Sequence, residues 1–194
     1  MALPIVLASS SPYRRELLTR LKLPFDCQSP DIDETPRPGE SPSDLAQRLA
    51  RSKAEAVATA LRTPSLIIGS DQVASIGGQK LGKPGSHERA QEQLRRMSGR
   101  TVEFYTAVAV LESDNGRFES SLDLTRVHFR ALDDLEIQRY LDREQPYDCA
   151  GSFKAEGLGI ALFESIESSD PTALIGLPLI AVATLSRRFG LNLP

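Results

Sequence analysis

Apolar positions in this chain alternate between short unbroken runs and stripes at helical spacing. "PIVLA" is a run of the kind that forms a buried strand. It leads through three serines into "PYRRELLTRL", where Leu17, Leu18 and Leu21 share one helical face, Ser11 is placed to cap and Pro12 to open the helix. "FDCQSPDIDETP" reads as a second strand entering a Pro-rich loop, and "SPSDLAQRLARSKAEAVATAL" as a long amphipathic helix with Ser41 as cap and Pro42 at its first position. "SLIIGSDQVASI" predicts a third strand that stops at a Gly77-Gly78 turn, and "SHERAQEQLRRMSG" a helix ended by Gly99. From about residue 100 the period changes to two: "TVEFYTAVAVLE" and "RFESSLDLTRVHFR" flank "SDNG", a strong hairpin signal. "LDDLEIQRYLDRE" then predicts a helix ended by Pro146, "GLGIALFESIE" another strand, and "GLPLIAVATLSRRFG" a closing helix ended by Gly190. This order predicts an α/β fold, a mixed sheet with helices around it. The change of pattern near residue 100 suggests two lobes within one domain over residues 1–194, and a cleft between lobes is a common place for a small-molecule site.

Composition narrows the class. The chain has 194 residues, 40% hydrophobic and 25% charged, enough to bury a sizeable core. Its net charge of -3 argues against a protein that coats nucleic acid, because that binding needs a basic footprint. Any anion must be met locally. Cys27 and Cys149 form no closely spaced pair and there are only two histidines, so neither a zinc site nor a disulfide framework is expected, and a reduced cytoplasmic chain is the simplest reading. "LPIVLASSS" lacks the basic start and the apolar length of a signal peptide, and no stretch approaches the ~20 apolar residues a spanning helix needs.

Several segments then carry candidate chemistry. A strand that ends in Ser9, Ser10 and Ser11 and feeds a helix places free N–H groups and the positive end of the helix dipole at one spot, an anion site. Arg14 or Arg15 adds a fork matched to phosphate. Taken alone, the same residues serve as an ordinary cap beside solvated arginines. "DIDETP" presents Asp31, Asp33 and Glu34, oxygen ligands suited to a hard divalent cation. In "IIGSDQV", Ser70, Asp71 and Gln72 interrupt an apolar strand just after Gly69, which is a poor core feature unless it faces a site. With Lys53 in the long helix and Lys80 and Lys83 around Gly82, these cations and acids together fit a metal–triphosphate site.

These segments, with "FYTAVAV", "CAGSFKAEGLG" and "LIGLPL", occur in the order found in the Maf family of nucleoside triphosphate pyrophosphatases, which the chain resembles nearly end to end. The resemblance implies a two-lobed Maf/ITPase-like fold with a long curved mixed sheet flanked by helices and the active-site cleft between the lobes. It implies hydrolysis of a nucleoside triphosphate to the monophosphate and pyrophosphate, assisted by a divalent cation such as Mg2+, Mn2+ or Co2+, by a cytoplasmic homodimer. Position by position it assigns Ser9, Ser11 and Arg14 to phosphate binding, Glu34 to the metal, Asp71 to the proton acceptor, and Lys53, Lys83 and Arg14 to charge stabilisation. The sequence leaves open an exchange of roles between Glu34 and Asp71.

The resemblance also bears on substrate. The pyrimidine-directed branch of the family has arginine, threonine and glutamine where this chain has Tyr13, Gln72 and Glu156. An aromatic, Gln and Glu in these places is similar to the branch that cleaves 7-methyl-GTP, and a cationic 7-methylguanine suits an aromatic face and a carboxylate. The expectation is therefore 7-methyl-GTP cleavage in the house-cleaning of modified nucleotides. A dTTP/UTP pyrophosphatase and a nucleotide-binding regulator of cell division are the alternatives, and a pure binder has no need of both Glu34 and Asp71.

Overall fold

A computed structural model describes residues 3–194. In chain order the elements are β1 (Ile5–Ala8), α1 (Pro12–Thr19), β2 (Phe25–Cys27), α2 (Pro42–Ala60), β3 (Leu66–Ile76), β4 (Gln79–Leu81), α3 (His87–Met97), β5 (Thr101–Glu112), β6 (Phe118–Phe129), α4 (Asp134–Glu144), a 3-10 turn (Leu158–Leu162), β7 (Phe163–Glu167) and α5 (Leu179–Arg188). The strands form one seven-stranded mixed sheet in the order β2-β1-β3-β5-β6-β7, with β4 paired to β3. β1 runs parallel to β2 and β3, as a strand–helix–strand crossover requires, whereas the β3–β5, β5–β6 and β6–β7 pairs are antiparallel. The change of pattern near residue 100 falls at the start of β5, and the sheet runs through it.

The caps lie where the sequence places them. Ser11 and Ser41 accept hydrogen bonds from the N–H groups of Arg14 and Asp44; on α4, Asp133 and Glu136, not singled out in the sequence, form a reciprocal capping box. One expectation needs correction. "GLGIALFESIE" is not one strand, because its first half is the 3-10 turn and only Phe163–Glu167 pairs in the sheet. The chain doubles back there: a Cβ at Gly159 would stand 2.4 Å from the Lys154 carbonyl oxygen, and the Leu158 N–H is drawn to Glu144 Oε2 at 2.7 Å. The turn expected at Gly77-Gly78 is present, and it closes a hairpin with the short β4.

Helix α2 covers one face of the sheet through Leu45, Ala46, Leu49, Ala50, Ala54 and Val57, and α1 and α5 cover the opposite face. At the far ends of β3, β5 and β6, α3 and α4 enclose a third cluster built around Phe104, Phe129 and Phe153. Among the described residues no helix is long and apolar enough to cross a membrane.

Candidate active site

Two small-residue contacts fix the site. A Cβ at Gly69 would lie 2.2 Å from the Ala50 carbonyl oxygen and 3.1 Å from the Ala54 Cβ, so α2 can rest on β3 at this distance only because residue 69 is glycine. The close approach carries Lys53, one turn beyond Leu49 on the apolar stripe of α2, down to the sheet. There its ammonium meets Asp71 Oδ1 at 2.6 Å and Glu34 Oε1 at 2.7 Å. Lys53 and Asp71 are each only 7% exposed, and a buried charge of either sign is tolerated because the other stands beside it.

Alternation along β3 divides the "GSDQ" segment between two faces. Asp71 points to the α2 face, and Ser70 and Gln72 to the other, where each holds the 173–176 segment. The Gln72 amide donates to the carbonyls of Ala173 (2.9 Å) and Leu174 (3.0 Å) and to Thr106 Oγ1 (3.0 Å), its direct partner in the β3–β5 register. Thr106 donates to the same Ala173 carbonyl at 3.0 Å. The Gly176 carbonyl accepts from Ser70 Oγ (3.0 Å) and Arg14 Nε (2.8 Å). Both amide hydrogens of Gln72 are thereby spent, and this residue shapes the cavity by fixing a wall. The wall segment, and Thr106 within "FYTAVAV", carried no assigned role in the sequence; a hydroxyl in an otherwise apolar buried strand was the signal for Thr106.

The serine loop folds onto itself at the start of α1: the Ser11 N–H donates to Ser9 Oγ at 3.1 Å and the Arg14 N–H to Ser11 Oγ at 3.4 Å. Burial holds the Arg14 guanidinium below its ordinary pKa, against the opposing pull of Asp71 and Glu34, and it remains a cation. Across the opening, Glu34 rides on a loop pinned to α2. Arg48 grips Glu40 with Nε–Oε1 2.5 Å and Nη2–Oε2 2.8 Å and also donates to the Thr35 carbonyl at 3.1 Å. Burial acts to raise the Glu34 pKa, but the hydrogen bond and charge of Lys53, with Arg14 and Lys83, outweigh it and the carboxyl lies below its ordinary value. Asp33 accepts from the Thr35 N–H at 2.9 Å and closes a local turn; neither it nor Asp31 lines the cavity.

These groups surround one cavity of about 590 Å³. Ser9, Ser11, Tyr13, Arg14, Glu34 and Lys53 line it, and so do Asp71, Gln72, Lys83 and Glu156, so the residues the resemblance points to are brought to the same space, whereas Arg15, Asp31, Asp33 and Ser70 do not line it. Lys80 and Lys83 reach it from β4 and the loop beyond, and among the described residues neither forms an ion pair. Tyr13, Phe104 and Phe153 contribute rings to the lining, and Glu156 and Asp148 contribute carboxyl groups. Burial, with help from Cys149 and Asp148, raises the Tyr13 phenol above its ordinary pKa, so it is neutral. The Cys149 thiol is pushed up to about 12 by burial and by Asp148 and stays protonated.

Among the described residues, no three His, Cys, Asp or Glu side chains are grouped to hold a metal ion. Glu34 and Asp71 each engage Lys53 through one oxygen and keep the other. That donor set does not make a protein-only metal cage. It suits a hard divalent cation that arrives with phosphate oxygens, as Mg2+ does when one or two carboxylates complete its shell.

The fold and cavity define an α/β protein whose cleft gathers cations around a buried Asp71 and a more exposed Glu34, and whose lining also includes aromatic rings. The chain belongs to the Maf family: the family model described as Maf-like protein matches residues 4–189. It is 60% identical over 190 residues to a 7-methyl-GTP pyrophosphatase of Polaromonas sp. (strain JS666), covering 98% of this chain and 86% of that protein. Proteins of the same name from Bordetella pertussis (59% over 188 residues, covering 97% and 93%) and Pseudomonas syringae pv. tomato (57% over 190 residues, covering 98% of each) are similar to it along nearly their whole length. Among solved structures, a HAM1 protein from Coxiella burnetii is 22% identical and superposes with a TM-score of 0.47, covering 97% of this chain and 98% of that one.

Proposed function

We propose that this protein hydrolyses 7-methyl-GTP to 7-methyl-GMP and pyrophosphate. The observation that carries the reaction type is the Lys53 ammonium held between Asp71 and Glu34 at the cationic end of the cavity; the names of the relatives support the substrate. Arg14, Lys53 and Lys83 bind the triphosphate and stabilise charge that develops on phosphoryl oxygens, and Ser9 and Ser11 present the start of α1 to the same oxygens. Asp71 takes the proton of the attacking water as the α–β anhydride bond breaks and pyrophosphate leaves with the bonding electrons. A divalent cation held by Glu34 would supply shielding of the phosphate charge, which leaves the free oxygen of Asp71 for the proton. At the other end, the Tyr13 ring faces the cationic 7-methylguanine, a contact worth ~0.5 to 2 kcal/mol. Glu156 accepts from the N1–H and N2–H edge of the base.

Pyrophosphate release from 7-methyl-GTP, GTP, dTTP, UTP, CTP and ITP, with a divalent ion present, tests this reading. Preference for 7-methyl-GTP supports it. Preference for dTTP or UTP moves the protein to pyrimidine substrates, and silence on all six removes hydrolysis.

A further inference from the structure

The main cavity has a neighbour. A second hollow of about 370 Å³ shares Ala155, Glu156, Leu174 and Ile175 with it. The rest of its lining is Ile160, Ile166, Ser168 and Pro171, so among the described residues Glu156 is the one charged side chain on it. Ile160 is 56% and Ile166 38% exposed. Single exposed apolar residues are ordinary, but two isoleucines beside a proline and a leucine, in a concave surface continuous with a ligand cavity, form a place for hydrocarbon. The groove is also firmly built. Leu174 belongs to the segment held by Gln72, and Ser168 Oγ donates to Asp123 Oδ1 at 3.2 Å and lies 2.8 Å from the Asp170 carbonyl.

The chemistry of guanine says which part of a substrate stands nearest this groove. Its N1–H and exocyclic N2 hydrogens lie on one edge of the ring and N7 on the other. With Glu156 accepting from the N1/N2 edge, the N2 amine stands at one of the residues common to both hollows, while the 7-methyl group faces away. Glu156 needs N1–H and one N2 hydrogen. The second N2 hydrogen is free for replacement.

We propose that the apolar groove beyond Glu156 takes a hydrocarbon substituent on guanine N2, so that the enzyme also hydrolyses N2-alkyl-7-methylguanosine triphosphates. This rests on the 7-methyl-GTP reading above. The test compares pyrophosphate release from 7-methyl-GTP and N2-benzyl-7-methyl-GTP by the wild-type protein and by Ile160→Asp, an exposed position outside the main cavity. The wild type is expected to turn over both, with kcat/KM values within about tenfold of each other. Ile160→Asp is expected to lose about tenfold or more on the benzyl compound, the scale of burying part of a phenyl ring, and to keep its rate on 7-methyl-GTP. Turnover of 7-methyl-GTP alone overturns this proposal and leaves the first reading standing; turnover of neither overturns both. Equal rates on the benzyl compound with and without Ile160→Asp show that the groove is unused and also overturn it. A dimer that Ile160→Asp dissociates, with relative rates unchanged, gives the groove to a second copy of the chain instead.

Discussion

Replacing Lys53 by methionine keeps the length and apolar stem of the side chain and removes only its charge. The consequence is set by what the ammonium leaves behind. Asp71, 7% exposed, loses its 2.6 Å partner and becomes a buried carboxylate facing the apolar side of α2. Removing one partner of a buried pair costs about 3–5 kcal/mol. The Glu34 side chain, 57% exposed, is stabilised by water once released and adds little to that figure. For a chain of this size 1 kcal/mol moves the melting temperature by about 2–4 °C, so Lys53→Met should melt roughly 6–20 °C below the wild type. The double variant Lys53→Met/Asp71→Asn should recover a good part of the loss, because no unpaired carboxylate is left buried against α2, and yet release no pyrophosphate. Calorimetric melting at neutral pH, beside the pyrophosphate assay, reads both effects. A Lys53→Met protein that melts within 2 °C of the wild type, or a double variant no more stable than the single one, would refute the account of Lys53 as the group that makes a buried Asp71 tolerable.

Other substitutions probe the supports around this pair. Gln72→Glu turns a donor to two carbonyls into a carboxylate facing them; hydrogen exchange over residues 172–176 should accelerate and kcat/KM fall at least tenfold, and unchanged exchange would show that Gln72 does not hold the wall. Gly69→Ala places a methyl group 2.2 Å from the Ala50 carbonyl oxygen, so α2 must lift; a loss of about 1–3 kcal/mol by urea denaturation is expected, with activity falling further as Lys53 moves off Asp71. The Glu40 carboxyl is held at about 2, against an ordinary 4.5, by the hydrogen bond from Arg48, then by the Arg37 N–H. A folded value below the unfolded one means that its contribution is complete above about pH 4.5 and is lost as pH falls towards 2. Arg48→Leu should therefore flatten acid unfolding over that window, and by freeing the Glu34 loop it should lower kcat more than it raises KM. Glu156→Gln should narrow the ratio of 7-methyl-GTP to GTP turnover, and an unchanged ratio would remove Glu156 from base recognition.

Much of this architecture is legible along the chain because the signals are local. Ser11, Ser41 and Asp133 sit at the starts of apolar stripes and cap the helices that follow, and "SDNG" turns the β5–β6 hairpin. Where the signal is not local, the pattern misleads. "GLGIAL" has the composition of a strand, but its turn is imposed by the Lys154 carbonyl packed against Gly159 and by Glu144 from α4, and no window around residues 157–162 contains Glu144. The site shows the same division. Its polar residues are conspicuous in "IIGSDQV" because hydroxyl, carboxyl and amide groups interrupt an apolar strand. What each one does depends on which face it takes and what covers that face. A period of two separates Asp71 from Ser70 and Gln72, but only the packing of α2 on one side and of the 173–176 segment on the other turns Asp71 into the partner of Lys53 and Gln72 into the support of a wall. The strand thus carries the Lys53–Asp71 pair on one face and the support of the 173–176 wall on the other. A change at Gln72 can alter base selection without a contact to the base, through the position of Leu174 and Ile175, and the same wall borders the apolar groove beyond Glu156.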